Sequence, residues 1–169
     1  MTVKVYYEPI GYVRVNASDD EVKALWDEGL VSMIEILPQY KDALNGLKGF
    51  SHIIILYHMH KVTEDQRKTL KVRPRRLLKY GFKLEELPLV GVFATDSPHR
   101  PNPIGLSIVE LLNIEGLTLT VKGLDAYDGT PVLDIKPYTP PRIVEIKSLP
   151  SWYIKLLEEA KKRGLKGEI

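Results

Sequence analysis

The chain has 169 residues, a formal net charge of +2 from 24 Lys and Arg against 22 Asp and Glu, and no cysteine. One domain's worth of chain can bury a sizeable core unaided, and the missing cysteines exclude a disulfide framework, a thiolate metal site and a cysteine nucleophile while suiting a reducing compartment. The balanced charge makes no demand for nucleic acid, and an alternating N-terminus with no long apolar run excludes a signal peptide and a membrane span, so a cytoplasmic protein without a membrane partner is expected.

Val3 to Val15 reads as one or two strands, rich in β-branched and aromatic residues. Ser18-Asp19-Asp20-Glu21 has the spacing of a capping box, with a short helix to follow and end near Gly29. Val31 to Leu37 reads as a strand, and Gln39 to Leu44 as a turn of helix stopped by Asn45-Gly46. His52 to His60, HIIILYHMH, is an apolar strand buried on both faces in its first half. A basic segment from Lys61 to Lys83 follows as a loop, with a helical turn around residues 64–70. Leu89 to Thr95 is the next strand, then a proline-rich loop, then a strand from Ile104 to Ile114. Glu115-Gly116 turns it into Leu117 to Leu124, and Asp128-Gly129 turns into Val132 to Ile135. Pro137 to Pro141 is irregular, and Pro150 to Gly164 reads as a helix with Trp152, Leu156 and Leu157 on one face. Many strands, short turns and two clear helices predict a mainly β fold, a small β-barrel with a few peripheral helices including one at the C-terminus. Neither strand–helix alternation nor a GxGxxG turn supports a Rossmann fold.

Four constellations could carry chemistry. In Ala94 to Ser107, ATDSPHRPNPIGLS, three prolines in six residues fix backbone angles and restrict Ser97, Arg100 and Asn102 before them. The stiff loop would present His99, Arg100 and Asn102 in set directions, which lowers the ordering cost of binding. Arg100 offers a fork of donors for a carboxylate or phosphate, and Asn102 a donor and an acceptor. The alternative is a rigid structural connection between strands. Leu124 to Tyr138 brings Asp125, Asp128 and Asp134 into ten residues, although Asp-Gly is also an ordinary turn and Asp134 an ordinary partner for Lys136. His58 and His60 would share a strand face as metal ligands do, but no third ligand stands at a recognisable spacing, so no metal is expected. The basic stretch, joined by Lys161, Lys162, Arg163 and Lys166, could follow a phosphate backbone, though aromatic interleaving is thin and cations are common at helix C-termini.

FATDSPHRPNPIGLSIVEL followed by GLDAYDGTPVLDIKPY resembles the TsaA-like family, which includes the TrmO type of tRNA N6-adenosine methyltransferase. Ile10-Gly11-Tyr12-Val13 and GFSHIIILYHMHK from Gly49 to Lys61 support the match, which spans about residues 5–141 in the expected order. The resemblance implies a β-barrel that binds S-adenosyl-L-methionine, a homodimer with the cofactor near the subunit interface, and methyl transfer to N6 of a modified adenosine beside the tRNA anticodon. By motif position it implies cofactor contacts from His60 and Lys61, Asp96, the backbone around Leu106, and the turn Asp128, Gly129, Thr130, Pro131. It assigns Arg100, Asn102 and Pro103 to the central loop that shapes the pocket or positions the target base. The expected division is a barrel domain over 1–145 and a helical extension over 146–169, in place of the extra C-terminal domain of longer bacterial members. The chain departs from the family in two places. Asp96 stands where the pattern ATRSP has Arg, and Leu25-Trp26-Asp27 stands where bacterial members carry Pro-Arg-Gln. Two other readings stay open: a non-catalytic S-adenosyl-L-methionine-binding sensor or partner module, and a metal hydrolase on His58 and His60.

Overall fold

A computed structural model describes residues 3–25 and 29–166. In chain order the elements are β1 (Gly11–Arg14), α1 (Asp19–Ala24), β2 (Val31–Ile36), a 3-10 segment Pro38–Leu44, β3 (His52–His58), α2 (Glu64–Arg67), β4 (Lys71–Val72), 3-10 segments Arg75–Tyr80 and Leu84–Glu86, β5 (Val90–Gly91), a 3-10 turn Val92–Ala94, β6 (Ile104–Glu115), β7 (Thr118–Lys122), β8 (Pro131–Pro137), a 3-10 turn Pro140–Arg142 and α3 (Ser151–Lys162). They fall into two compact units: residues 1–61 with 104–140, and residues 62–103 with 141–169.

In the first unit six antiparallel strands close a barrel in the order β1-β2-β7-β6-β3-β8. Strand alternation decides what faces inward: along β2, Ser32, Ile34 and Ile36 are buried, while Val31, Met33 and Glu35 are exposed. The core gathers Val13, Ile34, Ile53, Ile55, Tyr57, Val109, Leu119, Val121 and Val132 with Leu124 and Ala126 from the turn before β8. β3 contributes three consecutive buried isoleucines, as its apolar run requires. Closure removes exposed sheet edges and leaves function to the rim and its turns.

The capping box forms as its spacing dictates. Ser18 Oγ accepts from the Glu21 N–H at 3.3 Å, and the Glu21 carboxylate accepts from the Ser18 N–H at 2.7 Å. The helix it opens ends at Ala24, and Trp26, Asp27 and Glu28 lie outside the described residues. The N-terminal strand is shorter than its alternation suggests. Pairing begins only at Gly11, and Val3, Val5, Tyr6 and Tyr7 are exposed. The last backbone bonds on this side are those of Ile10, whose N–H donates to Val132 C=O at 2.8 Å and whose C=O accepts from Leu37 N–H at 2.9 Å, and Pro9 before it has no N–H with which to extend a ladder.

In the second unit, β4 and β5 make a two-stranded antiparallel ribbon. The strand expected over Leu89 to Thr95 is cut to two residues and gives way to the 3-10 turn Val92–Ala94. The reason lies in the carbonyls of Val92 and Thr95, which accept from side chains of the proline loop and not from a neighbouring strand. α3 buries Leu156 and Ala160 and closes on Gly164 at φ 105°, with Leu165 N–H donating to Ala160 and Gly164 N–H to Lys161, the paired bonds of a Schellman ending.

Candidate functional site

At the barrel rim, β3 ends at His58, so His60 and Lys61 lie past the strand and its alternation no longer orients them. Lys61 Nζ bonds both carboxylate oxygens of Asp19, at 2.6 and 2.5 Å, and stands 4.8 Å from the ring centre of Tyr127. Asp19 is the first residue of α1, so the capping box fixes where this ion pair forms. His60 Nδ1 lies 3.3 Å from the Thr130 hydroxyl, which is almost fully buried. Burial, then the charges of Lys61 and His58, push the His60 imidazole below its ordinary value, and Asp19 opposes them. The charged form of His60 is therefore disfavoured, and its ring stands as a hydrogen-bonding group.

The turn Asp128 to Pro131 is tied to β1 by its backbone. Gly129 N–H donates to Val13 C=O at 2.9 Å, and Val13 N–H donates to Thr130 C=O at 2.9 Å. Asp128 Oδ1 accepts the Val15 N–H at 3.1 Å. Gly129 takes φ 74°, where a side chain would be strained. Pro131 begins β8 opposite Tyr12, where its missing N–H is harmless at a strand's first residue.

Tyr57 joins the two long motifs, and the sequence reading did not single it out. Its hydroxyl donates to Asp125 C=O at 2.8 Å, at the base of the Asp128 turn, and lies 3.4 Å from Ser107 Oγ on β6. Directly opposite in the ladder is Gly105, where an added Cβ would stand 2.2 Å from the Tyr57 ring. Gly105 is thus required by the close approach of this ring. A glycine within an otherwise apolar strand is the signal that could have found it. Leu106, the next residue, pairs with Leu56 and is 61% exposed, so its backbone is in the ladder and its side chain on the outer face.

Asp96, Arg100, Asn102 and Pro103 belong to the second unit. Arg100 directs its donors at its own loop: Nε bonds Ser97 C=O at 2.7 Å, and Nη2 bonds Val92 C=O at 3.0 Å and Thr95 C=O. The Thr95 hydroxyl bridges Val92 C=O and Ser97 N–H, and the Ser97 hydroxyl accepts from His99 N–H. Arg67 Nε secures Pro101 C=O at 3.0 Å from α2. The loop is stiffened by this polar web as well as by its prolines. Pro103 is buried, whereas Asp96 and Asn102 are exposed and make no side-chain bond among the described residues. The structure therefore gathers His60, Lys61 and Asp128 to Pro131 on one rim, and turns Arg100 inward as the brace of a separate loop. Among the described residues no three His, Asp or Glu side chains converge as a metal site, and no helix is long and apolar enough to cross a membrane.

Residues 23–142 match the family model described as the tRNA-methyltransferase O N-terminal domain. A probable S-adenosyl-L-methionine-binding protein of Methanothermobacter thermautotrophicus is 50% identical over 139 residues, 80% of this chain and 91% of that protein. One of the same description from Archaeoglobus fulgidus is 47% identical over 106 residues, 63% of this chain and only 26% of its own length. The tRNA (adenine(37)-N6)-methyltransferase of Mus musculus is 49% identical over 96 residues, 57% of this chain and 20% of that enzyme. A solved structure, "Crystal structure of TrmO", superposes with a TM-score of 0.64 at 34% identity, covering 88% of this chain and 64% of that one.

Proposed function

Because the chain belongs to the tRNA-methyltransferase O N-terminal domain family, we propose that it binds S-adenosyl-L-methionine and methylates N6 of a modified adenosine beside the anticodon of a tRNA. The observation that carries the reading is the barrel rim. Motif residues from three separate stretches, His60-Lys61, Asp125 to Pro131 and Gly105 to Ser107, are tied into one bonded unit through Thr130 and Tyr57. Such cross-bracing holds polar groups in place before a ligand arrives, which lowers the cost of binding.

The donor set fits the cofactor's chemistry. The Lys61 ammonium suits a carboxylate, and the carboxylates of Asp19 and Asp128 suit an ammonium or ribose hydroxyls. The barrel encloses a large apolar core, as a neighbouring site that excludes water requires. When bound, the cofactor supplies a methyl group already activated on its sulfonium, so this chain's residues have alignment as their main task. Lys61 and the Asp128 to Pro131 turn would hold the cofactor. His60, whose charged form is disfavoured, would offer its ring to a hydrogen bond while adding little positive charge to the site. Arg100 keeps the proline loop rigid, and Asn102, which makes no side-chain bond among the described residues, is the loop's polar group for the target base. A homodimer in the cytoplasm completes the reading.

A second reading, a cofactor-binding module without catalysis, is favoured by one observation: Asp96 is exposed, and unpaired among the described residues, where the family pattern has Arg. One experiment separates the two. The protein is titrated with S-adenosyl-L-methionine by calorimetry, then incubated with the cofactor and tRNA from a strain lacking the homologous enzyme, and the nucleosides are analysed by mass spectrometry. Binding with a new N6-methyl nucleoside supports the enzyme, binding without any methylated nucleoside supports the module, and no binding overturns both.

A further inference from the structure

The formal charge of +2 conceals two opposed halves. Residues 62–103 and 141–169 hold 16 Lys and Arg against 9 Asp and Glu, a net +7. The barrel unit holds 8 against 13, a net −5. The second unit is assembled from two separate stretches of chain, and their basic runs meet. Arg163, at the end of α3, donates Nη1 to Gly81 C=O at 3.1 Å, pairs with Glu86 at 3.3 Å and stacks over Phe82 at 3.9 Å. This anchors the last turn of α3, with Lys161 and Lys166 nearby in sequence, against the end of the 3-10 segment Arg75–Tyr80. At about 2 Å per residue that six-residue segment is roughly 12 Å long, with Arg75 at its far end and Lys71 just before it.

Four of the nine acidic residues of this unit are already paired. Glu64 pairs with Arg67, Asp65 with Lys68, and Glu86 and Glu159 with Arg163. Lys71, Arg75, Lys161 and Lys166 are exposed and have no side-chain partner among the described residues. Several unneutralised cations spread over both stretches of this unit match a polyanion better than a single phosphate, and charge asymmetry between parts of a chain is the electrostatic footprint of nucleic acid.

Resting on the methyltransferase reading, we propose that the second unit is the RNA-holding surface, with Lys71, Arg75, Lys161 and Lys166 contacting the phosphate backbone of the substrate. The acidic barrel would repel that backbone and leave it to the other unit.

The test compares wild type with a fourfold variant, Lys71→Ala, Arg75→Ala, Lys161→Ala and Lys166→Ala. A control removes equal charge from the barrel by Lys4→Ala, Lys41→Ala, Lys48→Ala and Lys122→Ala. Binding of unfractionated tRNA is followed by fluorescence anisotropy between 50 and 200 mM salt, and S-adenosyl-L-methionine binding by calorimetry. Four lost contacts at about 0.7–0.9 ions each should lower the salt slope by about 3, so wild type should lose roughly 50- to 150-fold more affinity over that range than the variant. The control should keep the wild-type slope, and all three proteins should bind the cofactor alike. An unchanged slope in the fourfold variant, or an equal fall in the control, overturns the surface while leaving the methyltransferase reading to its own assay. Wild type that binds cofactor but no tRNA overturns both. Binding to anionic lipid vesicles in preference to tRNA overturns the choice of RNA.

Discussion

Gly105→Ala tests the claim that the two long motifs are one mechanical unit. The new Cβ would stand 2.2 Å from Tyr57 Cε2 and 2.3 Å from Cζ, far inside van der Waals contact. Tyr57 is only 5% exposed and sits among core isoleucines, so its ring has no free space to enter. Overpacking of this kind costs about 1–3 kcal/mol. A displaced ring also gives up its hydroxyl bond to Asp125 C=O, worth about 1 kcal/mol. The expected destabilisation is about 2–4 kcal/mol, measured by urea unfolding, and for a chain of this size it lowers Tm by roughly 4–16 °C. Tyr57→Phe alone removes only the hydroxyl and should cost about 1 kcal/mol. Tyr57→Leu removes the ring that the new Cβ strikes, so Gly105→Ala made in that background should cost much less than in wild type. The Asp125 carbonyl carries the turn that leads to Asp128, so Gly105→Ala should also weaken S-adenosyl-L-methionine binding under conditions where the protein remains folded. A Gly105→Ala protein within about 0.5 kcal/mol of wild type, the range of an ordinary surface substitution, would refute the steric argument. Equal penalties in the wild-type and Tyr57→Leu backgrounds would refute the coupling.

The remaining predictions concern the rim and the loop. His60 should titrate with a midpoint below 6.5 by NMR, because burial and then Lys61 and His58 disfavour its charged form. The unfolded chain then binds the extra proton first, so the stability linked to His60 is present above pH 6.5 and is lost as pH falls below it; a midpoint above 6.5 would contradict this. Lys61→Met should raise that midpoint by removing one of the opposing charges, and an unchanged midpoint would leave burial as the whole cause. Asp96→Arg should tighten cofactor binding in calorimetry by restoring the family's charge, and equal or weaker binding would count against any role for this position in holding the cofactor. Asn102→Ala should lower methyl transfer more than cofactor affinity, whereas equal losses would make Asn102 a builder of the pocket. Arg100→Lys should speed amide exchange across residues 92–103, since one ammonium cannot reproduce the guanidinium's planar fork toward the Val92, Thr95 and Ser97 carbonyls.

What was legible in the sequence was what local chemistry decides. The capping box at Ser18 needs only residues three apart, and the alternation of β2 only its own six residues; both stand in the structure as their spacing predicts. The barrel class followed from the number of strands and the shortness of the turns. Where a local pattern met a distant requirement, the pattern lost. Val3 to Val15 is rich in strand-forming residues, but Pro9 has no N–H to carry the ladder beyond Ile10. Leu89 to Thr95 is apolar enough for a strand, but Arg100 claims the carbonyls that a strand would have offered its neighbour. In the candidate site, residue types were readable and their directions were not. Arg100 looked like a grip for an anion because its fork is polar and its loop is stiff. Nothing within the chain order reveals that two carbonyls of that same loop, Thr95 and Ser97, and that of Val92 just before it already engage it.

Net charge shows the same limit on a larger scale. A value of +2 makes no demand for nucleic acid as long as the chain is taken as one body. The second unit is discontinuous, so no sequence window contains it: residues 62–103 leave the barrel after β3, and α3 joins them 82 positions later through Arg163 and Gly81. Once topology assigns each charge to its unit, a bland average separates into +7 and −5. That separation also recasts the ATDSPHRPNPIGLS stretch. Its first ten residues belong to the basic unit, and its last four, starting at Ile104, to the acidic barrel. The motif is therefore the covalent crossing from one electrostatic environment to the other. Asp96 places a negative charge on the basic side, where a family Arg would have added to the excess. Its effect is then predicted to reach beyond the cofactor: if the basic unit holds RNA, Asp96→Arg should tighten tRNA binding and steepen its salt slope by about 1, the increment of one added phosphate contact. A variant that tightens cofactor binding with no change in that slope would confine Asp96 to the cofactor.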